Sequence, residues 1–362
     1  MVSASPYRRH GASAGLSPFL RVPISKPTTP TPAKAMTKKT LDTKLAAIRS
    51  GAYKPTDFII ADAKDGDIGF GAAAPGPDPK DPTRFKTRAA HLDAIREMTR
   101  SGLVDIMLLS ASSTERLSEE GLFKKSTVTP AIRLNDTTDI WSARGGRYKE
   151  EPSRHHRTAR PDQAKKFVDL GLYSITFSNQ RDIDAENAEA YSAFRAEAAT
   201  HKLRHFLEVF NPAFDIRLAD NAGIGHFIND NIVRTLAGVM RADHPHFLKL
   251  QYNGARAMEE LASYDPTRLV VGVLGGAKGT TRDTFELISQ AERHGARVAL
   301  FGRKINLAED PIMLVRYMRA VVERAIKPEE AVKAYHSELK KAGKKTTLPL
   351  AKDRVITEAA LM

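Results

Sequence analysis

From residue 57 onward, short apolar runs alternate with amphipathic stretches. The strand-like runs are 57–62, 104–110, 128–134, 173–177, 206–210, 247–250, 269–274 and 298–302. Between them, helical spacing of apolar positions predicts helices near 84–101, 113–120, 162–170, 183–201, 230–242, 255–263, 281–294 and 310–325. A further helical run precedes the first strand, near 41–50, and a last one follows at about 328–341. Strands that alternate with helices imply right-handed βαβ units and a parallel sheet. Eight such repeats over about 270 residues predict an α/β fold of the (β/α)8 TIM-barrel type, in a single domain. An open doubly wound sheet is the alternative. It usually carries its Gly-rich turn after the first strand, whereas here the Gly-rich turns follow strands seven and eight.

A barrel takes its chemistry from the carboxyl ends of its strands. Read in order, those ends offer Asp62 with Asp65, Ser110, Arg133 with Asn135, Thr176 with Ser178 and Asn179, Glu208 with Asn211, Lys249, Gly275-Gly276 and Gly302-Arg303. Lys249 is the informative one, because it interrupts an apolar strand between Leu248 and Leu250. A lysine amine in a desolvated site is a starting point for Schiff-base chemistry with a carbonyl substrate. The alternative is a buried lysine that merely pairs with a carboxylate. Asp62 and Glu208 are the candidates for proton transfer, and each could equally serve a structural ion pair.

Gly275-Gly276 would let backbone N–H groups approach an anion closely. Thr280-Thr281-Arg282-Asp283 then opens a helix whose N-terminus favours that anion further. Gly302-Arg303 adds a guanidinium fork. Turns after the last two strands are where such barrels commonly hold phosphate, so Gly275, Gly276, Gly302 and Arg303 are the expected phosphate ligands. Arg133 and Asn135 join them as expected substrate ligands. His155-His156 and His244-Pro245-His246 lack a third ligand at an obvious spacing, so neither metal nor organic cofactor is expected. The segment 135–161, with the single tryptophan Trp141, is long for a barrel loop. It follows strand three and should lie on the catalytic face.

Composition adds three points. No run approaches the roughly 18 apolar residues of a membrane span. There are no cysteines, which removes disulfides and thiolate chemistry and fits a cytoplasmic location. The net charge is +13, of which residues 1–35 supply +5 without a single acid. The remaining excess is scattered among acids and carries no recognised nucleic-acid motif. It is read as suiting a polyanionic small substrate rather than nucleic acid. Residues 1–37 are rich in Ser, Pro and Thr and have no apolar periodicity, so a disordered tail or an overlong start before Met36 is expected, with an organellar transit peptide as a third reading. The chain thus divides into a tail (1–37), a barrel (38–326) and a C-terminal helical extension (327–362).

The lysine strand and its two turns resemble those of the archaeal-type class I fructose-bisphosphate aldolases. The likeness is most specific over 229–326. Leu248-Lys249-Leu250-Gln251-Tyr252-Asn253-Gly254 is similar to the family's lysine strand, Leu274-Gly275-Gly276-Ala277-Lys278 to its first phosphate turn, and Phe301-Gly302-Arg303-Lys304 with Asp310-Pro311 to its second. More loosely, Ala131–Asn135 is similar to its third strand and Asp62-Ala63-Lys64-Asp65-Gly66 to its first acidic turn, in either of two registers three residues apart. The chain departs from the pattern in strand four, where the family has a proton-transferring tyrosine and this chain has Thr176 or Phe177. The resemblance implies a divergent homo-oligomeric lyase that cleaves or forms a carbon–carbon bond in a phosphorylated ketose. Alternatives are another lysine-dependent reaction on the same barrel, such as acyl transfer or isomerisation, or a non-catalytic barrel that binds a sugar phosphate or nucleic acid.

Overall fold

The computed structural model describes residues 37–219 and 223–362. The expected N-terminal tail falls almost wholly outside them. Ten strands form among the described residues: β1 (Ile59–Ala63), β2 (Ile106–Leu109), β3 (Thr129–Arg133), β4 (Asn135–Thr137), β5 (His155–Arg157), β6 (Leu170–Thr176), β7 (Arg204–Phe210), β8 (Leu248–Leu250), β9 (Gly272–Leu274) and β10 (Val298–Phe301). Eight of them close a parallel barrel in the order β1-β10-β9-β8-β7-β6-β3-β2. These are the eight strands expected from the apolar runs. β4 and β5 pair antiparallel and turn the long loop after β3 into a hairpin.

Side chains on each strand alternate between the barrel interior and the helix layer. Ile60, Ile132, Ile175, Leu207, Val209, Leu248 and Leu250 pack outward in one large core. Ile59, Ala61, Ala131, Leu172, Phe206 and Phe247 form a second, inner core, closed from below by Leu41, Leu45 and Ile48 of the helix Thr40–Arg49. Because Leu248 and Leu250 point out, Lys249 must point in. The same parity turns Arg133, Ser174, Thr176 and Glu208 inward.

Helices occupy most of the expected spans, including Arg88–Ser101, Arg181–Thr200, Ala255–Tyr264, Thr281–Arg293 and Pro311–Val322. Two expectations are corrected. The helix near 162–170 is a single turn, Pro161–Ala164, because β6 begins at Leu170 and draws the chain out. The helix near 230–242 runs Ile224–Ala237. It starts earlier because Ile224 and Phe227 pack on the core across polar His226, and it stops at Gly238. The last helix, Pro328–Lys341, buries Ala331, Val332, Tyr335 and Leu339. No helix among the described residues is long and apolar enough to cross a membrane.

Candidate active site

Strand register builds the site. Ser174 lies opposite Glu208, and Glu208 opposite Lys249, so three neighbouring strands set one polar layer across the barrel. The Lys249 ammonium lies 2.6 Å from Glu208 Oε1. Glu208 Oε2 accepts from Arg133 Nη2 at 2.8 Å and from Ser174 Oγ at 2.9 Å. Arg133, one layer below, also donates Nε–H to Asp65 Oδ2 at 2.6 Å and an Nη1 hydrogen to Ser174 Oγ at 2.7 Å. Charges alternate along Asp65, Arg133, Glu208 and Lys249, and all four are buried. A buried charge is tolerated only when it is paired and hydrogen-bonded in this way. Burial works to raise the Asp65 carboxyl, but Arg133 and then Lys249 outweigh it and hold it below the ordinary range. Burial opposes the charge of Arg133, yet Asp65, Glu208 and Asp136 together push its value up.

A cavity of about 280 Å³ opens above this layer at the carboxyl ends of the strands. Lys249, Glu208, Arg133, Asp65, Lys64, Asp139, Gly275, Gly276, Gly302 and Arg303 line it, with Phe70, Ile140 and Phe210 as apolar walls. Arg303 Nε donates to the Gly276 carbonyl at 3.1 Å and ties the two turns together. Its guanidinium lies over the Phe70 ring, 5.3 Å from the centroid. Among the described residues no carboxylate pairs with it. Gly276 takes φ +67°, a backbone state that side-chain-bearing residues rarely adopt. A Cβ on Gly302 would stand 3.1 Å from the Ala63 carbonyl, a tight contact where this turn closes on β1.

Three expected site residues have other positions or partners. Asp62 is fully buried but shares the outward parity of Ile60, and it is absent from the cavity wall. Its carboxylate meets Lys64 Nζ at 3.2 Å and accepts no hydrogen bond. Burial pushes its pKa up, against the pull of Lys64. Of the two acids in this turn of β1, it is Asp65, just past the strand end, that faces the cavity. Asn135 bonds the backbone of Ser174 on both sides, at 2.6 and 2.8 Å, and so braces β6 instead of facing a substrate. Arg133 does line the cavity, but carboxylates and Ser174 already occupy its fork.

The helix Thr281–Arg293 is likewise not open to an anion. Thr280 and Asp283 cap it reciprocally, and the Thr281 N–H is taken by Asp353 Oδ1 at 2.7 Å. Asp353 belongs to the C-terminal extension, whose contact with this helix the sequence did not reveal. Glu358 of the same segment meets the fully buried Lys304 at 2.6 Å, directly behind Arg303. In β6, Thr176 points inward while Tyr173 stacks outward on Phe194 at 4.4 Å. His155 and His156 lie in the hairpin, and His244 and His246 precede β8 at the other end of the barrel. Among the described residues no three His, Cys, Asp or Glu side chains gather to hold a metal ion.

No protein-family model matches the chain, and no curated protein matches its sequence. Solved structures do. An archaeal fructose 1,6-bisphosphate aldolase aligns at a TM-score of 0.54 and 16% identity, over 78% of this chain and 99% of its own. Another structure of an archaeal aldolase, with its catalytic lysine covalently bound to the carbinolamine intermediate, aligns at 0.56 and 16%, with the same coverage of both chains. A protein of Corynebacterium glutamicum aligns at 0.51 and 19%, over 79% of this chain and 94% of its own. At such identities the likeness shows the fold.

Proposed function

We propose that this chain is a Schiff-base lyase that cleaves or forms a carbon–carbon bond in a phosphorylated ketose. The observation that carries the reading is the Lys249 amine, buried in the cavity wall with Glu208 at 2.6 Å, below an Arg303 that has no acidic partner among the described residues. Glu208 accepts a proton from Lys249 Nζ and leaves the amine with a free lone pair. The amine adds to the ketose carbonyl carbon, and Glu208 returns the proton as the resulting hydroxyl departs as water. The product is an iminium, which keeps a positive charge beside Glu208 and so preserves the alternation of charge in the layer. Arg303 and the Gly275-Gly276 turn hold the phosphate at the mouth. The archaeal aldolases of similar fold, one with its lysine caught as a carbinolamine, support the reading by analogy.

The test is reductive trapping. The protein is treated with borohydride in the presence of dihydroxyacetone phosphate, a small phosphorylated ketone, and the adduct is located by peptide mass. The expected result is one reduced adduct on Lys249, absent from Lys249→Ala and from Lys249→Arg, whose guanidinium stays charged. An adduct on Lys64, the other buried lysine of the cavity, would move the nucleophile. No adduct at all would overturn the covalent mechanism.

A further inference from the structure

We propose that Asp139 moves the proton of the carbon–carbon bond step; this rests on the reading of Lys249 as the imine-forming group. Three carboxylates line the cavity with Lys249: Asp65, Glu208 and Asp139. The first two are tied to cations, Asp65 to Arg133 and Glu208 to both Arg133 and Lys249. Among the described residues no lysine, arginine or histidine pairs with Asp139. Only hydroxyls hold it. Ser153 Oγ donates to Oδ1 at 2.6 Å, and Thr176 Oγ lies 3.2 Å from Oδ1 and 3.3 Å from Oδ2. A carboxyl held by hydroxyls can be acid or base, because a hydroxyl can donate to the charged form and accept from the neutral one. Asp65 is committed to the Arg133 guanidinium and Glu208 already serves Lys249, which leaves Asp139 for a second proton transfer.

The position fits the task. Thr176 lies two residues beyond Ser174 on β6, one inward layer closer to the mouth than the Ser174–Glu208–Lys249 layer. A substrate joined to Lys249 extends its carbon chain into that upper layer. Asp139 is 2% exposed, yet it comes from the turn Thr138–Ile140 of the long loop. The loop is fixed there. Ser153 N–H donates to Ser178 Oγ at 3.1 Å, and Asn187 Nδ2 donates to the Ser153 carbonyl at 3.1 Å.

The step balances as follows. In cleavage, Asp139 takes the proton of the hydroxyl on the carbon β to the iminium carbon, the far end of the breaking bond. The O–H electrons become the second bond of the departing aldehyde. The carbon–carbon electrons move to the iminium and neutralise its nitrogen as an enamine. Asp139 then returns its proton to the enamine carbon, and water releases the ketone from Lys249. No oxidant or further reactant is needed.

The experiment compares wild type, Asp139→Asn and Asp139→Glu with dihydroxyacetone phosphate as probe. Two quantities are read: the borohydride adduct on Lys249, and exchange of the C3 hydrogen of the probe with solvent deuterium. Asp139→Asn should form the adduct to the wild-type extent and lose exchange by roughly 10²- to 10⁴-fold, the range of a removed acid–base group. Asp139→Glu should recover part of the exchange. Thr176→Val, which keeps the carboxyl and removes one hydroxyl, should lose far less. Exchange within about threefold of wild type in Asp139→Asn would overturn the proposal. So would a folded Asp139→Asn that no longer forms the adduct, since the residue would then belong to imine formation. A wild-type protein that gives no adduct sinks the Schiff-base reading, and this proposal with it.

Discussion

Arg303 stands at the cavity mouth with a charge that no described side chain neutralises. Its fork is free apart from the Nε–H given to Gly276. Arg303→Ala should therefore lower the melting temperature only slightly, through the lost tie to Gly276, and raise KM for a phosphorylated ketose by roughly 10- to 100-fold, as expected when a charge-assisted hydrogen bond of about 1.5–3 kcal/mol is lost. Equal turnover of the dephosphorylated ketose by wild type would remove the phosphate site. At this scale the sequence was partly legible. Lys249 stood out because its leucine neighbours fixed its direction. Asp62 misled because period-two alternation sends it outward, and the cavity-facing Asp65 lies past the strand, where no periodicity speaks. Asp139 left no signal, since a loop residue becomes buried only through Ser153 and Thr176, distant in sequence.

Elements meet at the closed end of the barrel through Asp105, at the entry to β2. Its Oδ2 accepts from the Ile60 N–H at 2.9 Å, from Lys44 at 3.0 Å and from Arg319 at 2.6 Å. One carboxylate thus ties the first helix, β1 and the helix Pro311–Val322. Burial pushes this carboxyl up, but Arg319, Lys44 and the Ile60 N–H outweigh it and hold it below the ordinary value. Folding therefore favours the charged form. The stabilisation is fully present above the unfolded carboxylate value near 4 and is lost as pH falls through the depressed folded value. Asp105→Asn should cost roughly 3 kcal/mol at pH 7, the scale of a broken buried pair. Thermal melts of the two proteins across pH should converge in acid. A constant gap would mean that charge contributes nothing. The eight strands were legible because each is an apolar run with turn residues at its ends. The one-turn helix 161–164 was not, since its sequence carries helical spacing that β6 overrides.

At the scale of the whole molecule, the C-terminal extension braces the helix start and the lysine that follow the two turns of the mouth. Thr280 Oγ donates to the Val355 carbonyl, Thr357 donates to Asp283, Glu358 meets Lys304, and Leu361 enters the core. A chain ending at Pro349 would leave Lys304 buried without its carboxylate, at roughly 3–5 kcal/mol. It would also lose the burial of Leu361, at about 1.5–3 kcal/mol. Its melting temperature should fall, and KM for a phosphorylated substrate should rise with the loosened turns. Calorimetry and kinetics on the shortened chain check both, and a shortened chain with wild-type KM would show that the segment braces the fold alone. In sequence the segment reads only as the end of a helical extension. Its carboxylates acquire meaning only when the fold brings them to Thr281 and Lys304, about 70 and 50 residues back along the chain.

The alternating row of Asp65, Arg133, Glu208 and Lys249 bears on descent. Lys249 sits at the end of the row, and its loss leaves Glu208 still held by Arg133 and Ser174. Arg133 sits in the middle, and its loss strands the buried Asp65, while Glu208 keeps only Lys249 and Ser174. On the Schiff-base reading, a lineage that gives up the chemistry can discard the lysine in one step and keep a folded barrel, whereas the arginine can go only after Asp65. Among related chains, Arg133 without Lys249 marks a barrel that has left catalysis, and Lys249 without Arg133 is the combination that selection should rarely leave standing.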